Sequence, residues 1–185
     1  MYYKTTYHSP IGDILIVSDH ESIVGVWFYG QKYFCGRLKE EMIEKETAVL
    51  SECKAWLDDY FHDLQPEISR LPLHPMGSEF RLEVWNILKE IPYGETMTYK
   101  DVSKEYAKRT GKASMSSQAI GGAVGHNPIS IIIPCHRVIG VKGNLTGYAG
   151  GMDKKIALLH HEHADEKQLF IINTSKNKRG KSICF

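Results

Sequence analysis

Ser117-Gln118-Ala119-Ile120-Gly121-Gly122-Ala123-Val124-Gly125-His126-Asn127-Pro128 runs straight into Ile129-Ser130-Ile131-Ile132-Ile133-Pro134-Cys135-His136-Arg137-Val138. The reading of these residues decides the second half of the fold. A short helix over about Ser117–Val124 is stopped by Gly125 and by Asn127-Pro128. Ala119, Gly121, Gly122 and Ala123 make that helix unusually small-sided. Glycine in a helix costs stability, so the composition suits a backbone that must approach something bulky, either a neighbouring helix or an outside partner. An extended run, Ile129–Ile133, then ends at Pro134 and a thiol flanked by His136 and Arg137.

Working outward, Thr98-Tyr99-Lys100-Asp101 is a capping-box-like start for a helix from Tyr99 to about Ala107. With the Ser117 helix it predicts a helix-turn-helix. Upstream, Phe80, Val84, Ile87 and Leu88 form one apolar helical face that ends before the turn Pro92-Tyr93-Gly94. Downstream, Gly140 to Gly151 holds five glycines and Tyr148. A last helix begins near Asp153 and carries Ile156, Leu158 and Leu159 towards Glu162.

The first half reads differently. Tyr2–Tyr7, Asp13–Val17 and Ile23–Tyr29 are rich in β-branched and aromatic residues, with Ser9-Pro10-Ile11-Gly12 as a turn. Val49, Leu50, Cys53, Trp56, Leu57, Tyr60 and Phe61 then share a helical face. Gln65 to Gly77 contains three of the seven prolines and reads as a linker. The expected fold is therefore α+β, with a small antiparallel sheet and helix over residues 1–76 and a mainly helical unit over 77–163. Residues 164–185 form a tail with an apolar run, Leu169–Ile172, a basic segment, Lys176–Lys181, and Cys184.

A net charge of +1 conceals an asymmetry. Residues 1–76 hold seven Lys and Arg against twelve Asp and Glu, a net −5, and residues 77–185 hold sixteen against ten, a net +6. A basic second half suits an anionic partner, nucleic acid foremost. No secretory leader or membrane-spanning run is apparent, so a cytoplasmic protein is expected. The four cysteines have neither disulfide-framework nor zinc-knuckle spacing. Cys53 lies on the apolar stripe and reads as core. Cys135 alone has neighbours that favour a thiolate, the form that reacts. Adjacent side chains usually point apart, so a base acting through water, with a carboxylate orienting the imidazole, fits His136 better than direct contact.

Ile133-Pro134-Cys135-His136-Arg137-Val138 resembles the active-site signature of the O6-alkylguanine-DNA alkyltransferases, the methylated-DNA–protein-cysteine methyltransferase family. Phe80…Val84-Trp85…Leu88…Ile91-Pro92-Tyr93-Gly94-Glu95…Thr98-Tyr99 resembles that family's domain opening. Ala119-Ile120-Gly121-Gly122-Ala123…Asn127-Pro128 resembles its recognition helix and asparagine hinge. Gly147-Tyr148-Ala149-Gly150-Gly151 and Lys155…Leu158-Leu159…Glu162 match its closing segments in order and spacing. The resemblance covers roughly residues 78–163. It implies a ribonuclease-H-like N-terminal domain and a winged-helix-like C-terminal domain.

The activity it implies is irreversible, single-turnover transfer of an alkyl group from O6-alkylguanine, or O4-alkylthymine, in double-stranded DNA to Cys135. His136 would be the water-mediated base, Glu162 its orienting carboxylate, Asn127 the pin of the turn, and Tyr99 a helper in base rotation and polarisation. Gln118, Ala119, Gly121, Arg137, Val138, Tyr148, Ala149 and Gly150 would contact the DNA or the flipped base from the minor groove. No cofactor and no metal are implied, and a monomer is expected. Many relatives carry an arginine where this chain has Gln118, so altered flipping efficiency is expected. A non-catalytic lesion-binding relative would lack the acceptor cysteine, and a cysteine hydrolase would turn over repeatedly.

Overall fold

Runs of β-branched and aromatic residues build the N-terminal sheet of the computed structural model, which describes residues 1–164 apart from 37, 39, 114 and 146. The tail motifs from Leu169 to Cys184 lie outside the described residues. Strand β1 (Tyr2–Ser9) pairs antiparallel with β2 (Gly12–Ser18), placing Tyr7 opposite Ile14. Strand β3 (Ile23–Phe28) continues the sheet with Ile16 opposite Val26. From Ile14 onward β2 is buried on both faces. Ile14 and Ile16 face the main core, and Leu15 and Val17 join Trp27 in a smaller cluster.

A fourth strand, β4 (Met42–Glu44), lies parallel to β1, giving the order β3-β2-β1-β4. The sheet is thus mixed, where an antiparallel one was expected. A three-residue strand is too short to display a readable period.

Helix α1 (Ala48–Phe61) starts at Thr47, whose hydroxyl accepts from Leu50 N–H, and buries Leu50, Cys53, Trp56, Leu57 and Tyr60. Cys53 is fully buried in this core, and burial pushes its thiol up to about 12. The segment expected as a linker is fastened to the sheet. Ile23 N–H donates to Pro72 O at 2.8 Å, His74 N–H donates to Ile23 O at 2.8 Å, and Leu71 is buried.

The C-terminal half packs three capped helices. Helix α2 (Glu79–Lys89) is capped by Ser78, α3 (Tyr99–Thr110) by Thr98, and α4 (Ser117–Gly125) by Ser116. Thr98 accepts from Asp101 N–H, as the capping pattern predicted, and its hydroxyl donates to the Asp101 carboxylate. Helix α3 runs three residues beyond the expected Ala107 and stops at Gly111 in the left-handed region.

Val84, Trp85, Val102, Ile120 and Val124 meet between these helices, and the Trp85 indole donates to Ala123 O at 2.9 Å. Strands β5 (Met97–Thr98) and β6 (Val138–Ile139) pair beside them, and α5 (Met152–His161) is the last helix of the described residues. Sheet, α1 and helices share one continuous core that runs from Ile14 through Trp85 to Cys135.

Candidate active site

The expected extended run is a buried turn. Ile129 bridges Val26 of β3, and Ile133 N–H returns to Ile129 O at 3.0 Å. Between them Ile131 adopts φ 68°, a region β-branched residues avoid. Such strain costs about 1–3 kcal/mol and persists only where the surroundings over-determine it. Here Asn127 does so. Its amide donates to Ile133 O at 2.8 Å and to Ile129 O at 3.3 Å, and its carbonyl accepts from Ile129 N–H at 3.0 Å. Asn127→Asp replaces the donating amide with a carboxylate facing two carbonyls. It is expected to destabilise the protein by about 2–3 kcal/mol, read as a lower denaturation midpoint at unchanged m-value.

The turn delivers Cys135, His136 and Arg137 into a short 3-10 segment, all buried. Burial raises the Cys135 thiol. The Asn127 side chain, the Lys155 charge and the backbone N–H groups of Cys135 and His136 oppose that rise by favouring the thiolate. His136 is fully buried, with Nε2 2.7 Å from Glu162 Oε1. Burial lowers its pKa, against the pull of Glu162. Its other nitrogen, Nδ1, is buried and meets no protein hydrogen-bond partner among the described residues.

Glu162 caps the C-terminus of α5, where the helix dipole disfavours a carboxylate. Arg137 compensates. Its Nε donates to Oε2 at 2.7 Å and its Nη2 to Oε1 at 3.0 Å, and Nη1 reaches Ile91 O. Gly94 N–H adds a bond to Oε2 at 3.3 Å. Gly94 has φ 74°, and a Cβ there would lie 2.7 Å from Glu162 O, so this close approach excludes a side chain. His136 and Arg137 hold the Glu162 carboxyl well below the usual carboxylate range despite burial. An ionised carboxylate only accepts, so Nε2 carries the imidazole proton and Nδ1 presents a lone pair.

Arg137, expected at the DNA, is thus turned inward onto Glu162 and over the Tyr93 ring, 5.7 Å from its centroid. Val138 is buried, and its carbonyl accepts from Lys155 Nζ. Lys155 is fully buried on α5, and desolvation brings its pKa down to about 8. It entered the sequence reading only as a spacing mark. A lysine set three and four residues before Leu158 and Leu159, on the buried stripe, was the available signal.

Tyr99 opens α3 with its hydroxyl 3.5 Å from Gly147 O, and burial pushes it up to about 12. Tyr148 is buried, and Ala149 and Gly150 follow it half-buried. A Cβ on Gly150 would meet the Tyr148 ring at 2.7 Å, so the loop requires glycine there. Lys32 N–H, from the N-terminal half, holds Ala149 O at 3.0 Å.

Gln118 is exposed in the first turn of α4, with Ala119 beside it. A Cβ on Gly121 would lie 3.8 Å from the Tyr99 ring, and one on Gly122 would meet nothing within 4 Å. The Gly121–Gly122 side of α4 is therefore open, whereas Ala123 is buried against α2, its carbonyl bonded by the Trp85 indole. Among the described residues no group of three His, Cys, Asp or Glu converges as a metal site. No described helix is long and apolar enough to cross a membrane.

Residues 79–164 match the family model for the 6-O-methylguanine DNA methyltransferase DNA binding domain, and residues 2–75 match that for its ribonuclease-like domain. The methylated-DNA–protein-cysteine methyltransferase of Methanosarcina acetivorans is 42% identical over 88% of this chain and 98% of its own. That of Haemophilus influenzae is 40% identical over 86% of each. Among solved structures, the Mycobacterium tuberculosis OGT in complex with DNA superposes with a TM-score of 0.75 at 34% identity, covering 91% of this chain and 98% of its own. With both halves matched, the thiol and imidazole delivered by one buried turn and the imidazole bonded to Glu162 at the end of α5, this chain belongs to the methylated-DNA–protein-cysteine methyltransferase family.

Proposed function

We propose that the protein repairs double-stranded DNA by moving the alkyl group of O6-alkylguanine irreversibly onto Cys135. The supporting observation is the His136 geometry, with Nε2 tied to an ionised Glu162 and Nδ1 left as a buried acceptor. Through a bridging water, Nδ1 takes the Cys135 proton. The thiolate attacks the alkyl carbon, so the S–C bond forms as the C–O6 bond breaks. The electron pair passes to the guanine, which takes up a proton from water as the His136 imidazolium returns its own to solvent, leaving the net proton count unchanged. The positive charge of Lys155 favours the thiolate electrostatically. A thioether is a poor leaving group, so each chain acts once.

Cys135 is only 5% exposed, and a base stacked in a duplex cannot present its O6 substituent to it. The base must be flipped. Val138, Tyr148, Ala149 and Gly150 line the receiving side, and Tyr99 sits where the rotating backbone and base edge pass. The open face of α4 (Ala119, Gly121) suits a minor-groove approach, and the +6 charge of residues 77–185 suits phosphate contact. A monomer divided near residue 76, working in the cytoplasm where thiols stay reduced, completes the proposal.

Incubation with a duplex carrying one O6-methylguanine is expected to add a single methyl, found on the Cys135 peptide by mass spectrometry. Turnover beyond one methyl per chain, or a methyl located elsewhere, would sink the reading.

Gln118 lies where insertion behind the flipped base would occur. Gln118→Ala is expected to slow transfer from duplex DNA about tenfold, the loss of one inserted polar contact worth ~1.4 kcal/mol. Transfer from the free O6-alkylguanine base, which needs no flipping, should keep its rate. Equal losses on both substrates would assign Gln118 to the chemistry instead.

A further inference from the structure

We propose that Tyr60, on α1 of the N-terminal half, is a positioning residue for the proton relay, its hydroxyl sharing Glu162 Oε1 with His136 and tuning how firmly that carboxylate supports the imidazole. The inference rests on the Cys135–His136–Glu162 relay proposed above. Tyr60 Oη donates to Glu162 Oε1 at 2.7 Å, the same distance as His136 Nε2 to that atom. The two residues are 102 positions apart, and both are at most 2% exposed.

The ring cannot swing away. It stacks on Trp56 at 5.7 Å and 9°, meets Tyr93 edge-on at 6.0 Å, and its backbone carbonyl is bonded by His161 Nε2 at 2.7 Å.

A buried tyrosine needs some partner, and stability alone accounts for finding one. The partner chosen is the informative part. Glu162 is already neutralised by Arg137 and bonded by His136 and Gly94 N–H, so it requires no further donor to remain ionised. A third donor on Oε1 withdraws negative charge from the atom that faces His136. The charged and titratable groups around this point are His136, Arg137 and Cys135 from the turn, Lys155 from α5, Tyr93 from the α2–β5 turn, Tyr148 from the glycine-rich loop, and Tyr60 itself from α1. His161 and Asp63 flank the Tyr60 backbone and the Tyr93 hydroxyl. Of these, Tyr60 alone comes from the N-terminal half and reaches the shared oxygen.

Tyr60→Phe returns that charge to His136 and raises the imidazole pKa. Transfer requires the neutral imidazole, so the acid limb of the single-turnover rate profile should move up by about half to one pH unit. The rate then falls about three- to tenfold at the acid end and less on the plateau. In a Glu162→Gln background the same change should leave the limb where it is, because the coupling runs through the carboxylate. Tyr60 replaced by 3-fluorotyrosine keeps the ring's shape and donates more strongly, so the limb should move down; this arm stands even if Tyr60→Phe folds poorly.

A Tyr60→Phe profile that superimposes on the parent, or falls by one factor at every pH, overturns the proposal. His136→Gln separates the two ideas. If it keeps the parental rate and limb, the relay reading itself fails; if it loses them while Tyr60→Phe shifts nothing, only the role of Tyr60 fails.

Discussion

Cys135→Ala is expected to abolish alkyl transfer entirely while leaving the affinity for O6-methylguanine duplex DNA unchanged or raised. The loss is total because among the described residues no second cysteine belongs to the reactive turn: Cys53 is sealed in the α1 core with its thiol pushed up to about 12, and Cys35 lies outside the turn. Binding survives because phosphate contact and base flipping do not use the sulfur. Replacing the thiol by hydrogen at a well-packed position removes a single buried heavy atom, for which a cost of about 1 kcal/mol is typical. Transfer followed by radiolabelled methyl, and binding followed by anisotropy, separate the two functions. Residual transfer in this variant would mean that the acceptor has been misassigned.

Glu162→Ala should be the most destabilising single change at the site. Glu162 gathers Arg137, His136, Tyr60 and Gly94 N–H around one carboxylate. Its removal leaves the Arg137 guanidinium buried and uncompensated, which costs about 3–5 kcal/mol. A fall in Tm of roughly 10 °C or more follows for a chain of this size.

The pH dependence has a definite sign. The folded pKa of Glu162 is depressed, so its contribution is fully present above the unfolded value of about 4.3 and is lost as the pH falls towards the folded one. The parent should therefore lose stability with acid faster than Glu162→Ala does. Denaturant midpoints measured at neutral and acid pH test this, and parallel curves would remove Glu162 from the linkage. Transfer should fall with stability, because an imidazole without its carboxylate is free to adopt the other tautomer.

Much of this was readable in the sequence, for identifiable reasons. Helix caps are local chemistry, so Thr98 and the breaks at Gly111 and Gly125 could be placed to within a few residues. Cys135, His136, Asn127 and Glu162 could be singled out because the ordered motifs surrounding them fix their spacing. The turn at Ile129–Ile133 was read as a strand because a buried turn and a buried strand have the same apolar composition; only the side chain of Asn127 distinguishes them, and what it bonds is a tertiary fact.

Arg137 was expected at the DNA only through the family resemblance, yet the 3-10 segment aims it at Glu162. Tyr60 looked like one more residue on an apolar stripe. Its hydroxyl became meaningful only when a carboxylate 102 positions away arrived beside it.

The fastening of β3 has a consequence for how copies of the protein behave together. The outer edge of a sheet is a template for a foreign strand, and natural proteins suppress such edges. Here the chain blocks its own. Residues 72–74 and 128–130 donate to and accept from β3 at Ile23 and Val26, so backbone groups that could recruit a neighbour are already engaged. The opposite edge ends in β4, three residues long and set among Glu40, Glu41, Glu44 and Lys45. The segment that shapes the reactive turn thereby also protects the sheet against edge-to-edge aggregation.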